Sequence, residues 1–299
     1  MNALTKSINR GQLNRTLFIA AFTLIPFSML LALTYYPAVK LFQISFTDWN
    51  GFSQNPGYVG FTNYINVLSD KTYFLTLKNT LAYAIMGLFQ VALALYMAVV
   101  LDTSIRARNF FRSVIFMPYI LNGVAIAFLF NYFYNYNDGP INVLLRLIGF
   151  EGITFLGNNY SINFSLAFII LWRFAGFYMV IFLSGIQSVP CELYESAEID
   201  GAHFLDKILY ITLPGIKRTI ELSMFLLVNG ILQVYFEPFI ITKGGPAGMS
   251  ETFVTKIYAI AYESNNFGKA AAMSVVLFII TVIIIAFQRH MMKAGESNE

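Results

Sequence analysis

From Asn79 to Leu101 no residue carries a formal charge, and the same holds from Thr16 to Val39 and from Ser113 to Asn137. About 20 apolar residues wound at ~1.5 Å each cross the ~30 Å hydrocarbon core of a bilayer. Three further runs complete the pattern. Phe164 to Gln187 is interrupted by Arg173, Thr219 to Thr242 holds Glu221 and Glu237, and Ala270 to Gln288 closes the set. A 57% hydrophobic share and a mean hydropathy of +0.63 agree with this reading. The sequence therefore predicts an all-α polytopic membrane protein with six transmembrane helices. Its membrane domain spans 16–288, between an N-terminal segment, 1–15, and a tail, 289–299.

The first run follows Lys6, Arg10 and Arg15 in the manner of a signal peptide. It is too long for an h-region and ends in "TYYPAVK" without a small-x-small cleavage site, so it reads as an uncleaved span. Placing the N-terminus inside puts eleven Lys and Arg residues in the inner segments and seven in the outer ones. That bias predicts a multi-pass protein of a bacterial or archaeal cell membrane with both termini and the 188–215 loop in the cytoplasm. No Walker A, HExxH, GxSxG or GxGxxG pattern occurs. The chain is accordingly read as a non-enzyme with no nucleotide site and no cofactor. A net charge of +3 gives no reason to expect nucleic acid, and the single Cys191 excludes an internal disulfide. The outer segments are rich in aromatics and turn residues, as in "SFTDWNGFSQNPGYVGFTNYINVL", and "YNDGPINVLLRLIGFEG" carries a short amphipathic stretch.

One inner loop is unusually charged: "YESAEIDGAHFLDKILYITLPG", residues 194–215. Ser188 is placed to cap a helix running from about Pro190 to Ile199, with Pro190 in its first turn. Asp200-Gly201 ends it, glycine accepting the left-handed conformation. A second short helix carries Phe204, Ile208 and Ile211 as an apolar stripe, and Pro214 stops it. The plain reading is a solvated loop. A metal site is a poor fit, since one histidine and scattered carboxylates form no closed ligand set. Acid–base catalysis lacks a nucleophile and a pocket.

Glu195, Ala197, Asp200, Gly201, Ala202 and Pro214 match the cytoplasmic "EAA" loop, so the chain resembles the binding-protein-dependent ABC importer permeases. Ser196 and Ile208 stand where that pattern usually has alanine and phenylalanine. "RNFFRSVIFMPYI", "GFYMVIFLSGIQSVP", "ITKGGP" and "FGKAAAMSVVLF" resemble the carbohydrate-uptake branch, the maltose-type and multiple-sugar permeases. The resemblance implies a second homologous permease subunit in a heterodimer, two cytoplasmic ABC ATPase subunits, an extracytoplasmic sugar-binding protein and a sugar substrate, all in membrane lipid. It also implies that the 194–215 stretch forms coupling helices seated on the ATPase. Glu195 would make a charge-assisted hydrogen bond there, and Gly201 would permit the turn and a close approach.

Charge inside a span costs ~2.5–3.5 kcal/mol on insertion scales, so Arg173 and Glu237 require an explanation. Asn229, Gln233 and Glu237 recur every fourth residue and would share one helix face. Amides, a carboxylate and a guanidinium suit sugar hydroxyls, and Phe177, four residues after Arg173, suits a ring face. Arg173, Phe174 and Phe177 fall on or beside sugar-contacting positions in the resembled family, while Ile231 and Val234 are apolar departures from it. Two alternatives stand beside this: the polar stripe packs on the partner permease, or Arg173 and Glu237 neutralise each other. Pro118 and Asn122 read as a kink and a helix–helix hydrogen bond. A permease for a polyol phosphate is the nearest rival, disfavoured by the single cavity cation. An intramembrane enzyme lacks a Ser–His or paired-aspartate set within the spans. An ATP-independent channel or transporter would have no use for the coupling loop.

Overall fold

The computed structural model describes residue 15 and residues 18–103 and 106–296. Lys6, Arg10, Thr16 and the last three residues of the tail lie outside the described residues. Two units divide the chain: 1–67 with 260–275, and 68–259 with 276–299. No strand forms among the described residues.

In the first unit α1 (Phe18–Ile44) presents its apolar side chains bare, with none of its most hydropathic stretch buried. It widens to a π turn over Leu31–Tyr35, just ahead of Pro37. A proline has no N–H to close the ordinary i→i−4 bond, and a π turn is one way a helix absorbs that gap. The hairpin after α1 is held by polar contacts. Asn63, on α2 (Thr62–Ser69), donates to the carbonyls of Ser45 and Thr47 at 3.0 and 2.8 Å. Trp49 packs on Phe267 at 5.3 Å, beside Gly51 with φ +89°.

The second unit is built around two long helices, α3 (Lys71–Asp102) and α7 (Asn159–Ile186). Asp70 caps α3 by accepting the Thr72 N–H at 3.0 Å. Ala94 and Ala98 on α3 and Phe182 and Met179 on α7 are fully enclosed in one core. Gly176 lets α7 touch the backbone of α4 (Arg108–Ile120) at Ile115, where a Cβ would collide with the carbonyl. Asn79 and Asn163 pin the loop around Met249 to these helices. Asn79 donates to the carbonyls of Gly248 and Glu251 at 3.3 and 2.9 Å, and Asn163 donates to that of Met249 at 2.8 Å.

Among the described residues four helices are long and apolar enough to cross a membrane: α1, α3, α7 and α11 (Phe267–Glu296). A fifth candidate is a bent pair. Where the sequence predicts one span over Ser113 to Asn137, α4 ends at Ile120 and α5 (Gly123–Phe133) departs at 95°. The break falls at Leu121 and Asn122, three residues beyond Pro118, and both adopt extended backbone. Asn122 makes an N-cap in place of the expected interhelical bond, accepting the Val124 N–H at 2.8 Å. The amphipathic segment forms α6 (Pro140–Leu147).

The run from Thr219 to Thr242 is also discontinuous. Here α10 (Lys217–Leu232) stops, residues 233–235 leave the helix, and a π turn follows over Pro238–Thr242. Pro238 has no N–H for the carbonyl of Val234, four residues back. That buried carbonyl instead accepts the Thr252 hydroxyl at 2.7 Å. The every-fourth-residue face therefore holds for Asn229 and Gln233 but does not extend along one helix to Glu237.

Candidate substrate cavity and coupling loop

A cavity of about 290 Å³ lies within the second unit, walled by α3, α7, the end of α4 and the discontinuous region after α10. Of the residues singled out from sequence, Arg173, Phe177, Gln233 and Glu237 line it together. Asn229 does not. Its Oδ1 accepts from Gln233 Nε2 at 2.6 Å, so it orients the amide that reaches the cavity. Arg173 Nη1 lies 3.6 Å from Glu237 Oε1, with side chains 16% and 6% exposed. The two charges thus pair and line the cavity at once. The Arg173 guanidinium also lies 5.2 Å from the Phe174 ring centroid and against Gly123, at the start of α5, where a Cβ would approach to 2.8 Å. The break between α4 and α5 makes room for it.

Aromatic surface is supplied by Phe177, but one face is already covered by Tyr119, stacked at 4.7 Å. Ile231 and Val234 are lining residues too, so the apolar departures are part of the wall. Two polar residues that sequence reading passed over also line it, Tyr83 and Gln90 of α3, 3% and 2% exposed. Nothing in an uncharged run marks which neutral polar residue faces a cavity.

The charged loop folds as two short helices, α8 (Cys191–Ile199) and α9 (Phe204–Lys207). Pro190, in extended conformation, precedes α8 at the cap position. Ser188 is not the cap: its hydroxyl turns back to the Gly185 carbonyl at 2.6 Å and finishes α7. The end of α8 is a Schellman motif. Ala202 N–H donates to the Ala197 carbonyl at 2.9 Å and Gly201 N–H to that of Glu198 at 3.1 Å, with Gly201 at φ +81°. No atom of the chain lies within 4 Å of where a Gly201 Cβ would stand, so within this chain glycine is required for the turn alone.

Two contacts set the angle between the helices. Lys207 Nζ donates to Glu198 Oε1 at 2.6 Å, and this bond and the neighbouring positive charge hold the Glu198 carboxyl below its ordinary pKa. Thr212 Oγ1 donates to the Lys207 carbonyl at 3.2 Å, so at its 3.0 Å contact with Tyr194 the phenol is the donor. Pro214 does not stop the second helix. A π turn over Ile208–Thr212 precedes it, helix continues over Leu213–Gly215, and the break comes at Ile216. The predicted stripe is uneven, for Ile208 and Ile211 are half-buried and Phe204 is 54% exposed. Glu195, Asp200 and Gly201 stand exposed, while Ala197 and Ala202 are half-buried.

Residues 90–294 match the model of the binding-protein-dependent transport system inner membrane component family. The chain belongs to that family. It is a multi-pass inner-membrane transport component by descent. A probable ABC transporter permease protein of Bacillus subtilis is 31% identical, over 95% of this chain and 99% of the relative. The diacetylchitobiose uptake system permease protein of Streptomyces coelicolor is 30% identical, over 91% of this chain and 81% of the relative. Among solved structures, a bacterial ABC transporter involved in the import of the acidic polysaccharide alginate superposes with a TM-score of 0.82. It is 25% identical and covers 97% of this chain and 98% of that one.

Proposed function

We propose that this chain is the membrane-spanning permease subunit of an ATP-driven importer for a neutral sugar or oligosaccharide. The observation that carries the substrate class is the charge balance of the cavity. Its only cation among the described residues, Arg173, is answered by Glu237 at 3.6 Å, and the other lining groups are amides, phenols and apolar or aromatic surface. A phosphate would need an unanswered cation, whereas sugar hydroxyls are met by neutral donors and acceptors, and sugar faces by aromatic rings. The sugar-related family members support the same class.

In this reading the chain crosses the membrane six times. The bent α4–α5 pair forms the third crossing, and α10 with the discontinuous 233–242 region forms the fifth. Both termini and the loop 188–215 face the cytoplasm. A second permease subunit completes the path, two ATPase subunits dock below, and an outer binding protein delivers substrate. Glu195, Ala197, Asp200, Gly201, Ala202 and Pro214 form the coupling surface, and Arg173, Phe177, Gln233 and Glu237 form the substrate site, with Asn229 behind it. ATP hydrolysis belongs to the partner.

The test is uptake by the complete complex in vesicles with binding protein and ATP. Maltose, trehalose and diacetylchitobiose are offered against sn-glycerol 3-phosphate. Import of a sugar, undiminished by excess glycerol phosphate, is expected; preferential import of the phosphate overturns the substrate class. Topology is checked on a Cys191→Ser background, needed because Cys191 is exposed. A cysteine at Asn158 should label from outside and one at Arg106 only after permeabilisation.

A further inference from the structure

On α3, Tyr83, Gly87 and Gln90 follow one another at spacings of four and three, so they share a face, and all three line the cavity. The Tyr83 ring is packed in the core with Ile126, Ile162 and Val234, which fixes its direction. Its hydroxyl has no hydrogen-bond partner among the described residues, although the side chain is almost wholly buried. Arg173 Nε, of another lining residue, likewise has none. A buried hydroxyl left unmatched is costly, and native structures retain such groups where something else completes the bond. At Gly87 a Cβ would press on the tips of Leu227 and Ile231 at 2.8 and 2.9 Å, so the missing side chain lets these lining residues approach α3 between Tyr83 and Gln90.

We propose that α3 is a specificity wall of the transport path: the Tyr83 hydroxyl and the Gln90 carboxamide hydrogen-bond hydroxyl groups of the passing sugar. The face is neutral and offers both donors and acceptors, which matches a polyol and gives no countercharge to a phosphate or carboxylate. It lines the same cavity as the Arg173–Glu237 pair, so a sugar there meets both charged and neutral groups. Discrimination among sugars would then rest on α3. A site built to bond a particular hydroxyl strongly rejects an analogue that lacks it. This inference rests on the cavity being a sugar path.

The experiment uses the complete reconstituted complex with Tyr83→Phe, which removes one oxygen and keeps the ring, and Gln90→Leu. Whichever of maltose, trehalose and diacetylchitobiose is imported is compared with its monodeoxy derivatives. In the wild type the derivative lacking the contacted hydroxyl should show KM raised about tenfold, the worth of one good hydrogen bond. In Tyr83→Phe that penalty should vanish for one position of the sugar while penalties at the others persist. Gln90→Leu should erase the penalty at a different position. A deoxy profile identical to wild type in both variants, or a uniform rise in every KM, overturns the proposal.

A second arm needs no sugar. If the hydroxyl has no partner in the substrate-free protein, Tyr83→Phe keeps or raises the melting temperature of the detergent-purified complex. A clear fall means that the hydroxyl serves the fold, and the proposal is lost. Failure of all three sugars to enter would count against the sugar reading itself, and the melting result would still judge the role of Tyr83.

Discussion

The cavity and the charged loop after α7 each hold an ion pair, and the longer one is expected to matter more. Lys207 and Glu198 meet at 2.6 Å with side chains 21% and 65% exposed, whereas Arg173 and Glu237 stand 3.6 Å apart at 16% and 6%. Water competes for the first pair, so its loss leaves charges that solvent can satisfy. In the second, removing one partner strands the other in a poorly solvated wall. Distance therefore does not rank these pairs; burial does. The loop pair sets the angle of two small helices. The cavity pair keeps the cavity wall electrically neutral.

The largest effect should come from splitting the cavity pair. Arg173→Met leaves Glu237 buried and alone, a change that typically costs ~3–5 kcal/mol. Assembled complex should fall in yield and melt lower. Combining Arg173→Met with Glu237→Leu should recover assembly without recovering uptake. Wild-type assembly and melting in Arg173→Met would break the ranking by burial.

Next comes the turn between α8 and α9. Gly201→Val forces a β-branched residue to φ +81°, a conformation that costs ~1–3 kcal/mol for such residues. Sugar-stimulated ATP hydrolysis should be lost while the protein still inserts. Gly201→Asn, which tolerates the left-handed region, should retain most of it, because open space surrounds the position. Loss in the asparagine variant as well would show that a partner approaches the glycine itself. Glu195→Lys should abolish stimulation without lowering the melting temperature, since Glu195 is exposed in this chain.

A comparable or smaller effect is expected where Thr252 takes up the Val234 carbonyl. Thr252→Val leaves a buried acceptor unmet, at ~1–3 kcal/mol. Pro238→Ala in the same chain should restore part of the loss by supplying an N–H at 238. No restoration would mean that the discontinuity is held by something other than the proline.

The smallest effect belongs to the loop pair. Lys207→Met should leave the melting temperature unchanged within error and lower only the coupling ratio of transport to hydrolysis. Because Glu198 is held below its ordinary pKa when folded, its contribution is complete above the ordinary carboxylate range. It is lost as pH falls through the lowered folded value. Coupling should therefore hold at neutral pH and weaken only under distinctly acidic conditions on the loop side. A change centred near neutrality would point to another group.

Long apolar runs were legible as helices because hydrophobic length is a property of the chain alone. Gly201 was legible because its turn is built from its own neighbours. Arg173 and Glu237 drew notice because charge is rare in such runs. Pro118 marked a kink in the third run, but not its 95° size or the cap that Asn122 makes there. The break after Leu232 was not legible: Pro238 signals a fault, but only Thr252, far along the chain, makes it tolerable. Ser188 was misread because two helix ends competed for one hydroxyl. Tyr83 and Gln90 stayed hidden because an uncharged polar residue in a span looks the same whether it faces lipid, a neighbour or a cavity.

The loop near Met249 is tied down by the side-chain amides of Asn79 and Asn163, and every loop carbonyl they grip is backbone. An anchor of that kind does not read the identity of the residues it holds. Apart from the positive-φ glycines Gly244 and Gly248 and the buried Ser250 and Thr252, which bond to the Gly245 and Val234 carbonyls, the loop is free to exchange its exposed side chains while keeping its place. A descendant of this chain could therefore acquire a new surface at this loop without rebuilding the helices it rests on.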